Sequence, residues 1–195
     1  MDTPTYDPTT LYGESYQRDA LDPKALTAWQ AIASVFSVEV AGNRWLDIGC
    51  GPGGLLAALN HKGFSVVGIE GSRAALGLVP GVPIALWDLR TPLYLDHFDV
   101  VSCFDVAEHV GNADAVAQTC AQNCSGILLF GAAPPGQDGL GHIDCRPHAD
   151  WTARFAAWDL TLDQQLTDML RAGLQTAEGA NHCWWVEKNL HAYRR

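Results

Sequence analysis

The chain has no window approaching the roughly eighteen unbroken apolar residues of a membrane span, although 48% of its 195 residues are hydrophobic. Its opening, M-D-T-P-T-Y-D-P-T-T, lacks the basic-then-apolar layout of a secretion signal. A cytoplasmic protein with no membrane partner is therefore expected. Basic residues are scarce, with 12 Lys+Arg against 22 Asp+Glu and a net charge of −10. Phosphate backbones are gripped by basic surface, so a broad nucleic-acid footprint is not expected, and only a small local basic patch stays open. None of Cys50, Cys103, Cys120, Cys124, Cys145 and Cys183 falls in a C-x-x-C pair, and their density is far from that of a small secreted domain. Reduced thiols are expected. There is no internal repeat and no sign of a second domain, so residues 1–195 are read as one domain with a full core.

What the chain does have is the stretch Arg44 to Gly54, R-W-L-D-I-G-C-G-P-G-G. Trp45, Leu46 and Ile48 form a short apolar run, and Gly49, Gly51, Gly53 and Gly54 follow at once. Leu55, Leu56 and Leu59 then recur at helical spacing. A strand, a tight turn and a helix in this order open a nucleotide-binding α/β sheet. Taken literally, Gly49, Gly51 and Gly54 satisfy G-x-G-x-x-G, and Glu70 lies 21 residues past Gly49, as in dinucleotide-binding folds. Two residues oppose a dinucleotide. Asp47 would meet a pyrophosphate with like charge, and Pro52 removes one N–H from the turn meant to cradle phosphate. A nucleoside with a ribose, a positive group and no phosphate meets neither objection.

The segments D-I-G-C-G-P-G-G, V-V-G-I-E-G-S and F-D-V-V-S-C-F-D-V-A-E-H-V closely resemble, in order and spacing, three motifs of the class I S-adenosylmethionine-dependent methyltransferases. The likeness covers Trp45 to Phe130 firmly and continues more loosely toward the C-terminus. It implies a Rossmann-like three-layer α/β sandwich with a mostly parallel seven-stranded sheet and an antiparallel last strand. It implies S-adenosyl-L-methionine as cofactor and S-adenosyl-L-homocysteine as product. Carried over position by position, it assigns the cofactor to Asp47, Gly49, Cys50 and Gly51 of the first loop and to Glu70 and Gly71 after the second strand. Glu70 would take the ribose diol. Asp88 and Leu89 would clasp adenine, and Phe104 and Asp105 would follow the fourth strand, Phe104 lying against adenine or the sulfonium. Asp88 could instead cap a turn. The segment 1–21 carries Tyr6, Tyr12 and Tyr16, and G-E-S-Y looks like a lid that relatives fold over the cofactor. Tyr12 or Tyr16 would then touch it, with simple packing as the alternative.

Strands are expected at 64–69, 82–86, 99–104 and 126–131, with a short sixth strand at Leu160 and Leu162 and a last one at 189–193. Asp22-Pro23 should start a helix whose apolar face is Leu26, Trp29, Ile32, Ala33 and Phe36, with a structural role, and Asn112 should cap another. Residues 164–188 form an inserted helical region where relatives have a tight hairpin, and core burial is expected for Trp184 and Trp185, with a hydrophobic contact surface as the alternative. The Gly/Pro-rich stretch A-A-P-P-G-Q-D-G-L-G-H-I-D-C-R-P-H reads as a functional loop on the active-site side. His142 is the first candidate general base, oriented by Asp144 or a neighbour, and His109 the second. Either could instead be a substrate contact or a structural histidine. His142, Asp144, Cys145 and His148 offer metal-ligand types, but H-x-D-C-x-x-H matches no strong signature, so no metal is expected.

The function so implied is methyl transfer from S-adenosylmethionine to an oxygen or nitrogen of a small-molecule acceptor. A nicotinamide-dependent oxidoreductase and a non-catalytic adenosyl-binding module are the alternatives. Protein or nucleic-acid methylation is weaker, since the chain has no N-P-P-[YFW] motif and no evident recognition domain.

Overall fold

The computed structural model describes residues 12–195. Tyr6 and the rest of residues 1–11 lie outside the described residues. Seven strands form one sheet in the order β3-β2-β1-β4-β5-β7-β6. They are β1 (Arg44–Ile48), β2 (Ser65–Glu70), β3 (Ile84–Leu86), β4 (Phe98–Phe104), β5 (Cys124–Gly131), β6 (Thr161–Leu162) and β7 (His191–Arg194). All neighbours are parallel except β7, which runs antiparallel to β5 and β6. The helices are α1 (Glu14–Asp19), α2 (Pro23–Glu39), α3 (Gly54–His61), α4 (Ala113–Asn123), α5 (His148–Ala156), α6 (Gln164–Thr176) and α7 (Trp184–Asn189). The expected three-layer sandwich with its antiparallel last strand is what the chain forms.

Period-two alternation along β1 sends Trp45 to one face and Leu46 and Ile48 to the other. On the first face Trp45 packs with Ile32 and Phe36 of α2, Leu56 and Leu59 of α3 and Leu170 of α6. On the second, Leu46 and Ile48 pack with Val101, Phe130, Val116 of α4 and Trp151 and Phe155 of α5. β1 has β2 on one side and β4 on the other, so the strand order reverses there. Side chains at the carboxyl ends of β1, β2 and β4 converge on that crevice.

Several local expectations shift. β2 starts at Ser65 and runs through Glu70. β3 starts at Ile84, not Val82, because Gly81 sits at φ 80° and Pro83 has no N–H to place in a ladder. The Pro83 carbonyl still accepts from Gly68 N at 2.8 Å. Asp22 caps α2 as expected, its carboxylate accepting from Ala25 N at 2.8 Å. Leu26 and Trp29, however, are not core: Leu26 is exposed, and half-buried Trp29 reaches the crevice, so α2 is more than structural. Asn112 stands at the N-cap of α4, but its amide donates to the Arg90 carbonyl at 2.9 Å and leaves the helix end uncapped by side chain. Trp184 is 48% exposed beneath the Lys188 ammonium. Trp185 is half-buried and lines the crevice. Core burial of that pair is therefore corrected, since the short α7 turns only Val186 and Asn189 fully inward.

Gly54, the first residue of α3, shows how tightly the crevice wall is built. A Cβ there would stand 2.6 Å from Trp29 Cδ1 and 3.0 Å from its Nε1. Gly54→Val should therefore displace the indole and destabilise the fold by about 1–3 kcal/mol, the usual effect of overpacking. Thermal and urea denaturation measure this; a midpoint equal to that of the parent chain would mean that Trp29 swings away freely.

Candidate active site

The crevice is a cavity of about 320 Å³, within the usual size range of small-molecule sites. Its floor is the loop Gly49–Gly53 between β1 and α3. Gly49, Gly51 and Gly53 all take positive φ, at 70°, 52° and 92°, which side chains disfavour. Each amide of this loop is already engaged. Gly49 N and Cys50 N donate to the Ile69 carbonyl at 2.8 and 3.2 Å, and Gly53 N to the Cys50 carbonyl at 3.1 Å. Gly51 N donates to Glu70 Oε2 at 2.9 Å, and Pro52 has no N–H. The loop turns its donors inward and offers carboxylates outward, an arrangement that repels diphosphate and suits a cation.

Glu70, at the end of β2, is buried. Its Oε1 accepts from Ser72 N at 2.7 Å while Oε2 holds Gly51. Two carboxylate oxygens offer about four lone-pair sites, so room for a diol remains on the cavity side. Burial pushes its carboxyl up against the opposing hydrogen bonds from Ser72, Gly51 and Gly71. Asp47 accepts from the Ser102 hydroxyl at 2.6 Å, and that hydroxyl in turn accepts from Trp45 Nε1 at 2.7 Å. Ser102 lies directly across from Asp47 in the β1–β4 register. Burial pushes the Asp47 carboxyl up to about 7, the Ser102 hydrogen bond pulling down and Glu70 adding to the rise.

Beyond β4, Asp105 has φ 58°, the left-handed region, and the turn Ala107–His109 follows. His109 Nδ1 lies 2.6 Å from the Tyr12 hydroxyl. His109 Nε2 lies 3.8 Å from Asp105. Burial alone would lower the His109 imidazole, but Asp105 and Glu108 outweigh it and raise it. Burial and the neighbouring Asp105 push the Glu108 carboxyl up to about 7. Tyr12 also closes the cavity: its carbonyl accepts from the Ser72 hydroxyl at 2.7 Å and from Gln17 Nε2 at 3.3 Å.

Of the residues singled out from sequence, the cavity is lined by Asp47, Gly49, Cys50 and Gly51 from the first loop and by Glu70 and Leu89 beyond it. Phe104, Asp105, His109, Tyr12 and Tyr16 complete that set. Gly71, Asp88 and His142 do not line it. Asp88 is exposed and forked onto Arg90, accepting from Nε at 2.8 Å and from a terminal nitrogen at 2.7 Å, while Oδ1 also takes Arg90 N. This is the turn-capping alternative. His142 stands behind His109, their ring centres 4.8 Å apart. Asp144 does not orient it; the Asp144 carboxylate is forked onto Arg146 at 2.8 Å twice. His148 stacks on His191 instead of joining Cys145. All six cysteines are free thiols.

Sequence reading missed Gln17, Trp29, His182 and Trp185, which line the cavity from elements far apart in the chain. Gln17 offered the clearest signal, a glutamine on the inward side of a short polar helix; it is 1% exposed. Among the described residues no helix is long and apolar enough to cross a membrane.

Comparison with known proteins agrees with this geometry. Over 96 residues the chain is 35% identical to the ubiquinone biosynthesis O-methyltransferase of Marinobacter nauticus, covering 43% of this chain and 40% of that protein. The protein of the same name from Chromobacterium violaceum is 33% identical over 93 residues, covering 42% of this chain and 40% of its own length. The match thus spans about two fifths of the length of these curated relatives. Among solved structures, the S-adenosylmethionine-bound amino pentose methyltransferase of Micromonospora echinaspora superposes with a TM-score of 0.63 at 20% identity, over 93% of this chain and 95% of that one. The magnesium protoporphyrin IX methyltransferase of Synechocystis gives 0.63 at 18%, over 81% and 89%. A family model described as a methyltransferase domain matches residues 17–185. The chain belongs to that methyltransferase domain family, on the class I S-adenosylmethionine-dependent fold that its glycine loop resembles.

Proposed function

We propose that the cavity binds S-adenosylmethionine and directs its methyl group to an oxygen or nitrogen of a small-molecule acceptor. The observation that carries this reading is the first loop: its amides are all turned inward, and two buried carboxylates, Asp47 and Glu70, face the crevice. A cationic nucleoside fits such a wall, and a pyrophosphate does not. The names of the relatives above, O-methyltransferases by sequence and an amino-sugar enzyme by fold, are in keeping with either acceptor atom.

When bound, S-adenosylmethionine supplies a methyl carbon activated by the adjoining positive sulfur. The chain's own residues align and exclude. Glu70 holds the ribose hydroxyls, and Leu89 and Phe104 provide apolar walls. Asp47, fixed by Ser102, receives the cationic amino-acid portion. In-line placement of acceptor and methyl can supply effective molarities of order 10⁵ M or more. An alcohol acceptor must also lose a proton; the His109 imidazole lines the cavity, with that of His142 behind it.

Binding should be linked to protons through Asp47. Its folded carboxyl lies near 7, against about 3.9 in an unfolded chain. The folded protein binds the extra proton between those values, so without ligand its stability falls as pH rises from about 4 to 7. A ligand ammonium favours the ionised form, so S-adenosylhomocysteine affinity should rise with pH up to about 7 and then level off, by up to roughly tenfold per pH unit. Calorimetry at pH 6 in buffers of different ionisation enthalpy should detect close to one proton released in the parent chain and a clear loss of that release in Asp47→Asn. Equal proton release in both would remove Asp47 from the ammonium site. Tight NADH binding without S-adenosylhomocysteine binding would overturn the whole reading.

A further inference from the structure

The cavity wall formed by Asp105 and His109 continues into an arrangement that methyl transfer as such does not require. Asp105, Glu108, His109 and His142 each bring one carboxylate oxygen or ring nitrogen to within 4.8 Å of all the others. The first three lie within five residues, Asp105 at the left-handed position that ends β4 and Glu108 and His109 on the turn Ala107–His109 that follows. The fourth is carried in by the Gly/Pro loop, whose Ile143 and Asp144 amides both donate to the Glu108 carbonyl, at 2.8 and 3.0 Å. The loop is thereby pinned to the residue at the centre of the group. Gly139 packs against the His142 ring, where a Cβ would collide with Nε2 first and stand 2.7 Å from Cδ2.

We propose that these four side chains form a divalent-cation site at the edge of the methyl-transfer cavity and that the ion binds the acceptor's hydroxyl oxygen. This inference rests on the methyl-transfer reading and narrows it to oxygen acceptors.

Three independent features point to a cation. First, Glu108 is fully buried, its Oε1 accepting from Ala133 N at 2.6 Å, while Oε2 is buried with no hydrogen-bond partner among the described residues. A carboxylate oxygen left so is costly unless a positive centre meets it. Second, the contacts within the group are loose: His109 Nε2 and the Asp105 carboxylate form an ion pair at 3.8 Å, wider than a hydrogen bond and open to an ion between them. Third, both imidazoles are tied at Nδ1. His142 Nδ1 lies 2.9 Å from the Gln137 carbonyl, which can only accept, so Nδ1 carries the hydrogen and the Nε2 lone pair is left for a ligand. His109 Nδ1 is held by the Tyr12 hydroxyl at 2.6 Å. Metal-binding histidines are oriented in this way, one ring nitrogen to an outer partner and the other to the ion.

Two imidazole nitrogens and two carboxylate oxygens suit a first-row divalent ion such as Mn²⁺, Fe²⁺, Co²⁺ or Zn²⁺ better than Ca²⁺, which takes oxygen alone. Four protein ligands leave positions open in a six-coordinate shell. Asp105 and His109 line the cavity, whereas Glu108 and His142 lie behind them. The open positions therefore face the acceptor. An acceptor hydroxyl bound there becomes far more acidic, as metal-bound water does, and its proton leaves to solvent water. The oxygen lone pair forms the new O–CH₃ bond as the S–CH₃ bond breaks, its electron pair staying on sulfur to give the neutral thioether. In this arrangement His142 is a ligand and not a base, because its one free lone pair is on the ion.

The test uses the full chain treated with chelator, titrated with MnCl₂ and followed by the electron paramagnetic resonance signal of free Mn²⁺. S-adenosylhomocysteine binding is measured in parallel by calorimetry. One saturable Mn²⁺ per chain is expected. Glu108→Gln and His142→Ala should each weaken it about tenfold or more while keeping S-adenosylhomocysteine affinity within about twofold. If circular dichroism shows that Glu108→Gln does not fold, His142→Ala, on a half-buried loop, decides alone. No saturable Mn²⁺ binding, or unchanged affinity in the folded variants, overturns the site. A parent chain that binds S-adenosylhomocysteine but no saturable Mn²⁺ would sink this inference only; a parent chain that binds neither sinks the methyl-transfer reading as well.

Discussion

Trp45→Ala is expected to lower the unfolding free energy by about 3–5 kcal/mol, a fall in melting temperature of roughly 10 °C for a chain of this size. The indole is fully buried. It stacks on Phe36 at 6.0 Å and 16°, and meets Phe64 edge-on at 5.5 Å and 87°. Removing it opens a cavity that two helices and a strand cannot collapse to fill. It also strands the Ser102 hydroxyl, which receives the indole N–H and passes a hydrogen bond on to Asp47. Trp45→Phe separates the two effects, keeping a ring in the stack while deleting the donor. Urea denaturation of both variants measures the sizes. A loss below about 1 kcal/mol for Trp45→Ala would mean that the face repacks and that this residue is not the centre of that layer.

Glu70→Ala should weaken S-adenosylhomocysteine binding by about 2 kcal/mol or more, roughly thirtyfold. Two losses combine in that figure. The ribose loses its acceptor pair, and Gly51 N and Ser72 N lose the carboxylate oxygens that now position them. Glu70→Gln keeps the shape but turns an amide NH₂ toward a backbone N–H, so it should bind nearly as poorly. Isothermal titration reads both. Affinity unchanged by either substitution would take Glu70 out of the nucleoside site, whatever the fold.

The parts of this architecture that could be read in advance are those whose causes are local. Trp45 to Leu59 encodes strand, turn and helix within one short stretch, and Asp47, Pro52 and Glu70 announce the electrostatic character of the crevice. Leu89, Phe104 and Asp105 follow because strand ends in a parallel sheet point one way. What could not be read depends on packing between distant segments. Trp29 looked like one more apolar residue on a helix face, yet it faces the cavity because Gly54 leaves room for it. Trp185 looked like core because the tryptophan pair is the most apolar feature of its region, but α7 is too short to bury both rings. Asp88 stands at the expected place in the chain, and Arg90, two residues on, takes its carboxylate. His142 stands out by its type and its loop. Its association with Glu108 rests on two backbone hydrogen bonds that no pattern of residue types displays.

Tyr12 ends one wall of the cavity and at the same time grips His109. A ligand that leaves past this wall must first break the tyrosine's bonds to Ser72 and to the imidazole. The position of this wall and the orientation of the His109 ring are thus coupled through one hydrogen bond.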